Sequence, residues 1–170
     1  MELDKYIRDI PDFPGKGIIF KDITPLLGNP EALKMAYGRL LGFAQDLPID
    51  KVVGVDSRGF IFAPMLAAGL GAGFVPVRKK GKLPFSTISQ SYGLEYGTDV
   101  LEMHTDAIER GDKVLVHDDV LATGGTAEAV CTLVEQLGGE VVQCNFLIQL
   151  HFLNGAEKLA NYPIKSLLQY

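Results

Sequence analysis

A chain of 170 residues, 47% hydrophobic and 22% charged, has the composition of one globular domain with enough length to bury a core. Its net charge of -5 argues against a general nucleic-acid binder, which carries a basic excess, so no nucleic-acid partner is expected. The polar, acidic opening Met1-Glu2-Leu3-Asp4-Lys5 is unlike a secretory signal, and Cys131 and Cys144 fit buried thiols in a reducing compartment; the expected location is cytoplasmic.

In chain order, Leu3 to Ile10 reads as a short helix and Gly17 to Phe20 as an extended segment. Pro30 opens a helix that runs to about Leu47, since proline at an early position gives up an N–H that has no partner there. The runs "KVVGVD" (51–56) and "FVPVRK" (74–79) are strand candidates on either side of a helix over 60–70. The uncharged stretch 59–77 is long enough to span a bilayer, but four glycines and two prolines interrupt it. It reads as a buried helix and a buried strand, with no membrane partner. Residues 99–108 form a less regular, antiparallel strand candidate. "KVLVH" (113–117) and "EVVQCNFLIQL" (140–150) are strands around a helix over 125–137, whose Ala127, Val130, Leu133, Val134 and Leu137 recur at helical spacing.

Strand–helix–strand units with apolar, β-branched strands predict an α/β fold: a mostly parallel central sheet flanked by helices. Ligands in such folds bind beyond the carboxyl ends of the strands, which puts loops 56–59, 79–96 and 118–126 on one rim.

The last of these loops is the most informative. After an apolar strand come Asp118 and Asp119, then Thr123-Gly124-Gly125-Thr126 at a helix start. Free backbone N–H groups, two hydroxyls and the positive helix end make a phosphate site. The pattern is neither a P-loop, which needs lysine where Thr126 stands, nor the three-glycine dinucleotide fingerprint. A carboxylate about 4 Å from a phosphate costs about 4 kcal/mol at an effective dielectric of about 20. A helix terminus returns only about 1 to 2 kcal/mol. Asp118 and Asp119 are therefore expected to face hydroxyls or a metal rather than the phosphate. Ribose 5-phosphate meets both demands.

Other rim residues have readings of their own. Asp56-Ser57-Arg58-Gly59 is a tight turn at a helix start, with a capping carboxylate or hydroxyl and a guanidinium shaped for phosphate oxygens. Arg78, Lys79, Lys80 and Lys82 form a cationic run after a strand, and 83–96 reads as a mobile surface loop. His104 and His151 have no metal-ligand spacing, and His117 reads as a core histidine.

The segment "VLVHDDVLATGGT" resembles the phosphoribosyl pyrophosphate (PRPP) signature of type I phosphoribosyltransferases. "FPGKGIIFKDITPLL" (13–27) and the motifs spread over 52–108 resemble the members of that family that act on adenine, in the same order along nearly the whole chain. The resemblance implies a single domain over 1–170, with a small N-terminal hood (1–30) over the base and a closing loop (83–96) that excludes water. It implies transfer of the 5-phosphoribosyl group from PRPP to adenine, giving AMP and pyrophosphate, with Mg²⁺ held mainly through PRPP or pyrophosphate rather than by protein ligands. A homodimer is implied as well.

Residue by residue, the resemblance gives PRPP or AMP to Arg58, Lys79, Lys82, Tyr96, Asp118, Asp119, Ala122, Thr123, Gly124, Gly125 and Thr126. Pyrophosphate falls to the loop of Asp56, Ser57 and Arg58 together with Arg78, which is also implied to extend toward a partner's site. Catalytic roles fall to Glu95, Asp118 and Asp119, and adenine to Ile19, Phe20 and Lys21, with Phe20 stacking on the ring. The chain departs from the family's common pattern at His117, usually apolar, and at Lys21, often arginine. Two alternatives stay open: action on xanthine or hypoxanthine, and a non-catalytic PRPP-sensing regulator.

Overall fold

The apolar runs of the sequence become strands and helices in the expected order across residues 2–93 and 98–170, the residues that the computed structural model describes. The chain divides into two units, Met1–Arg39 and Leu40–Tyr170.

In the first unit, the helix expected over 3–10 is instead a 3-10 turn, Leu3–Tyr6, followed by strand β1, Arg8–Pro11. Only Leu3 of that turn is buried, so no apolar stripe extends the helix. β1 pairs antiparallel with β2, Ile19–Asp22, and ion pairs Lys21–Asp9 (2.7 Å) and Arg8–Asp22 (3.4 Å) tie the two strands. The Phe13 and Phe20 rings meet edge to face at 5.2 Å. A short helix α1, Thr24–Gly28, precedes α2, Pro30–Gly42. Asn29 Oδ1 accepts hydrogen bonds from the N–H groups of Glu31 and Ala32, capping α2. α2 ends before the expected Leu47; Ala44 to Leu47 continue only as turns.

In the second unit the described strands build a seven-stranded sheet. β3 is Lys51–Val55, β4 Gly73–Lys79, β5 Thr87–Gly93, β6 Thr98–His104, β7 Lys113–Leu121, β8 Glu140–Gln149 and β9 Ile164–Gln169. Their order is β5-β6-β4-β3-β7-β8-β9. The five strands from β4 to β9 along that order are parallel, and β6 and β5 add an antiparallel edge. Helix α3, Gly59–Leu70, crosses from β3 to β4, and α4, Gly125–Gln136, from β7 to β8. The uncharged stretch 59–77 thus splits into α3 and β4, and among the described residues no helix is long and apolar enough to cross a membrane. Val53, Val77, Val116, Val130, Leu133 and Phe146 anchor the core, and each is fully buried.

Two differences bear on the site. Part of the expected 83–96 loop is strand β5, paired along its length with β6. β7 runs past His117 through both aspartates to Leu121, because the β8 ladder continues alongside it as far as Gln149.

Candidate active site

The parallel strands β3, β4 and β7 end on one rim, and the loops that follow them carry the polar residues singled out above. A cavity of about 260 Å³ opens there, lined by Asp56, Ser57, Arg58, Lys79, Tyr92, Asp118, Asp119 and Thr126. A smaller one of about 70 Å³ lies beside it against Ala122, Thr123, Gly124 and Thr126, with Asp118 on its wall.

The floor of the phosphate-type loop follows from glycine chemistry. Gly124 has φ +81°, open to glycine at no steric cost, and it caps α4. Its carbonyl accepts the Glu128 N–H at 2.9 Å. The first-turn N–H groups of α4 have no partner within the helix and carry its positive end. Thr123 and Thr126 add the hydroxyls, and Gly124 and Gly125 are buried beneath them.

The two carboxylates stand at the end of β7. Asp118 Oδ1 accepts the Asp119 N–H at 2.9 Å. It also lies against Gly59, where an added Cβ would come within 3.0 Å of it, so the carboxylate faces the first residue of α3. Burial, and then the adjacent Asp119 charge, push the Asp118 carboxyl well above its ordinary value. Burial raises Asp119 too, against the opposing charge of Arg58. Arg58 Nε stands 2.9 Å from Asp119 Oδ2, an ion pair without the alignment of a hydrogen bond. Within β7 and its neighbours, His117 is fully buried; its Nδ1 faces Asn145 Oδ1 at 2.7 Å, and Asn145 Nδ2 donates to the Leu40 carbonyl at 3.4 Å. Burial lowers its pKa to about 4, so the ring is a neutral core group, in line with the sequence reading.

The cationic run is tied down by acids: Asp56 of the expected pyrophosphate loop, and Asp99 and Glu102, which the sequence does not single out. Arg78 Nε donates to Asp56 Oδ2 at 2.8 Å and its Nη1 to the Lys82 carbonyl at 3.1 Å. Lys79 Nζ pairs with Asp99 Oδ2 at 2.7 Å. That hydrogen bond raises the lysine and lowers the aspartate from their ordinary values. The Gly81 N–H donates to buried Glu102 at 2.9 Å, fixing the turn that carries Lys80 and Lys82. Tyr92 on β5 hydrogen-bonds Thr126 and lies 3.5 Å from Asp99.

The rim therefore gathers Asp56, Ser57, Arg58, Lys79, Asp118, Asp119 and Thr126 around one cavity, and Ala122, Thr123 and Gly124 around its neighbour. Arg78 reaches it through Asp56, while Lys82 is exposed on the same turn. Glu95 and Tyr96 lie outside the described residues. Ile19, Phe20 and Lys21 are on β2 of the first unit. Asp99, Glu102 and Tyr92 escaped the sequence reading. The signal for Asp99 and Tyr92 is that they are cross-strand partners in the β5–β6 hairpin, visible only once 87–93 is known to be a strand.

Comparison with known proteins adds kinship to this geometry. Residues 30–165 match the model of the phosphoribosyl transferase domain. An adenine phosphoribosyltransferase of Flavobacterium johnsoniae is 62% identical over 170 residues, covering 100% of both chains. The crystal structure of the adenine phosphoribosyltransferase of Rhodothermus marinus superposes with a TM-score of 0.94 at 61% identity, covering 99% of this chain and 96% of that one. The Saccharomyces cerevisiae enzyme, crystallised with an imino-altritol bisphosphate and adenine, gives 0.89 at 43% identity, covering 97% and 96%.

Proposed function

The chain belongs to the phosphoribosyltransferase family, and on that premise we propose how it transfers the 5-phosphoribosyl group of PRPP to adenine, releasing AMP and pyrophosphate. The observation that carries the reading is the division of labour around one rim. Two carboxylates at the end of β7, half-buried Asp118 and buried Asp119, lie beside a helix start that attracts phosphate, and the cations Arg58 and Lys79 line the same 260 Å³ cavity.

Thr123, Gly124, Gly125 and Thr126, with Ala122, hold the 5-phosphate through main-chain N–H groups and hydroxyls. Asp118 and Asp119 accept hydrogen bonds from the ribose alcohols and stabilise the positive charge that grows on the sugar ring as its bond to pyrophosphate breaks. The Asp56-Ser57-Arg58 loop, Lys79 and Lys82 take the diphosphate, and Arg78 orients Asp56. A ring nitrogen of adenine attacks the anomeric carbon, the carbon–oxygen bond to pyrophosphate breaks, and the nitrogen gives up its proton. Glu95 is assigned to that proton and Tyr96 to PRPP, in a segment over 83–96 that closes on the reacting centre. Base recognition is assigned to residues 1–30: Phe20 stacks on the ring, and Ile19 and Lys21, two apart on β2, offer main-chain groups along the same strand edge.

Among the described residues no cluster of three or more metal-ligating side chains occurs. We assign Mg²⁺ mainly to the oxygens of PRPP or pyrophosphate and to water, since this ion keeps several waters and is taken up largely through substrate phosphates. When bound, the ion shields the diphosphate charge. We assign the protein to the cytoplasm and to a homodimer.

The deciding experiment is an assay of purified protein with PRPP, Mg²⁺ and each purine in turn. Nucleotide from adenine supports the proposal; product from hypoxanthine but not adenine rejects the choice of base. PRPP binding with no turnover on any purine points to a sensor.

A further inference from the structure

The phosphate-type loop leans on a backbone far away in sequence. Gly155 opens a 3-10 turn, Gly155–Leu159, directly beneath Gly124. A Cβ added to Gly124 would overlap the Gly155 carbonyl, with Gly155 Cα and C at 3.1 Å. A Cβ added to Gly155 would overlap the Ala122 carbonyl and come within 2.8 Å of Gly124 N. Two main chains thus touch with no room for a side chain on either, and Gly155 is buried.

The support is itself anchored. The Leu150 N–H donates to the Leu121 carbonyl at 2.9 Å, so the chain leaves β8 tied to the start of the loop. The His151 N–H donates to the Tyr170 carbonyl at 2.7 Å. Asn154, at φ +53°, turns the chain into Gly155, and its N–H closes onto the His151 carbonyl at 3.0 Å. Leu159, fully buried, plugs the far end of the turn into the core cluster that holds Val130 and Val134 of α4. A support fixed at both ends keeps Gly124 in its left-handed conformation, and that conformation aims the N–H groups of the loop.

We infer that Gly155 is a positioning residue for the phosphate end of the substrate: its main chain is the floor that sets the shape of the 122–126 loop. The inference deepens the proposed function and rests on the assignment of that loop to the 5-phosphate. It separates two halves of the substrate, because the Asp56-Ser57-Arg58 loop does not lie on this floor.

The test uses ribose 5-phosphate and pyrophosphate as separate probes, each titrated calorimetrically into the whole protein with Mg²⁺, together with steady-state kinetics. Misplacing contact groups by about 1 Å costs up to about 100-fold, so Gly155→Ala is expected to weaken ribose 5-phosphate by about tenfold or more and to raise the KM for PRPP in step. Pyrophosphate affinity is expected to stay within about twofold, and kcat to fall less than KM rises. Gly111→Ala, a strained left-handed position (φ +91°) in a turn with nothing within 4 Å of an added Cβ, controls for lost stability and leaves both affinities unchanged. If Gly155→Ala does not fold, Leu159→Ala loosens the floor while keeping its glycine, and the same bias against ribose 5-phosphate is expected. Unchanged ribose 5-phosphate affinity in a folded variant, or equal weakening of both probes, overturns the inference. A wild-type protein that binds pyrophosphate but not ribose 5-phosphate removes the loop assignment as well, and with it this inference.

Discussion

Arg58 and Asp119 face each other across the rim, Nε to Oδ2 at 2.9 Å, joining the loop after β3 to the end of β7. The aspartate is nearly enclosed, with 5% of its side chain exposed, and the arginine keeps 35%. One salt bridge thus links the group assigned to the diphosphate with a group assigned to the sugar, and the guanidinium charge opposes the upward push of burial on the Asp119 carboxyl.

Asp119→Asn keeps the shape and deletes the charge. Electrostatic groups aimed at a developing transition-state charge are worth about 100- to 1,000-fold in kcat, and a loss of that size is expected here. Replacing one member of a partly exposed pair also relieves the burial cost, so the melting temperature should move little. Steady-state kinetics beside a thermal melt reads both. Wild-type turnover in the variant would remove Asp119 from the chemistry.

Asp118 makes a prediction about stability rather than rate. Burial and the neighbouring Asp119 charge raise its carboxyl in the folded protein well above the unfolded value of about 4. Below that unfolded value both states are protonated and the site costs nothing. As pH rises through the window between the two values, the unfolded state releases its proton first, so stability falls and then stays reduced. Asp118→Asn is therefore expected to melt higher than wild type at pH 8, with a gain that shrinks toward pH 4, while turnover drops. A gain that is constant across that range contradicts the assignment.

Much of this arrangement can be read from residue types alone, and the misses share a physical cause. The parallel sheet follows from uninterrupted β-branched runs such as Val114-Leu115-Val116, which have no polar face to show to water. The site loop is legible because two adjacent carboxylates are followed closely by Thr123-Gly124-Gly125-Thr126 at a helix start, a run of polar groups that core packing does not call for. Asp99 and Gly155 are not legible, since their partners, Lys79 and Gly124, lie 20 and 31 positions away and only pairing across strands or backbone contact brings them together. The strand at 87–93 is hard to read for another reason: "TISQSYG" is polar on one face and only half-buried on the other, so its alternation is faint. The extension of β7 through two aspartates breaks the usual exclusion of Asp from strands, and it falls at the residues proposed to hold the sugar.

His117 sets a second pH window, of opposite sign. Its folded pKa of about 4 lies below the ordinary 6.5, so the unfolded state takes up a proton first as pH falls. The stabilisation is complete above 6.5 and is lost between 6.5 and about 4, amounting to about 3 kcal/mol at about 1.4 kcal/mol per unit. A ring carbon shift of His117 followed by NMR should stay that of the neutral Nδ1–H tautomer down to about pH 5, with the proton directed at Asn145 Oδ1. Titration near 6.5 would mean that the ring is open to water.

Asp99 decides what Lys79 is doing before substrate arrives. The pair is short, at 2.7 Å, but Lys79 keeps 65% of its side chain exposed, so solvent limits its worth to about 0 to 1 kcal/mol. Diphosphate, carrying several negative charges, competes with a single carboxylate for the same ammonium, and it meets the repulsion of Asp99 as it does so. Asp99→Asn removes both the competitor and the repulsion while leaving the Tyr92 hydroxyl a neutral partner. Pyrophosphate is expected to bind about two- to fivefold tighter to this variant, the range that up to about 1 kcal/mol allows. Because the effect is Coulombic and close to solvent, the gain should fade as ionic strength rises from about 0.05 to about 0.5 M. The opposite result, weaker binding at every salt concentration, would show that Asp99 aims the lysine into the cavity rather than holding it back.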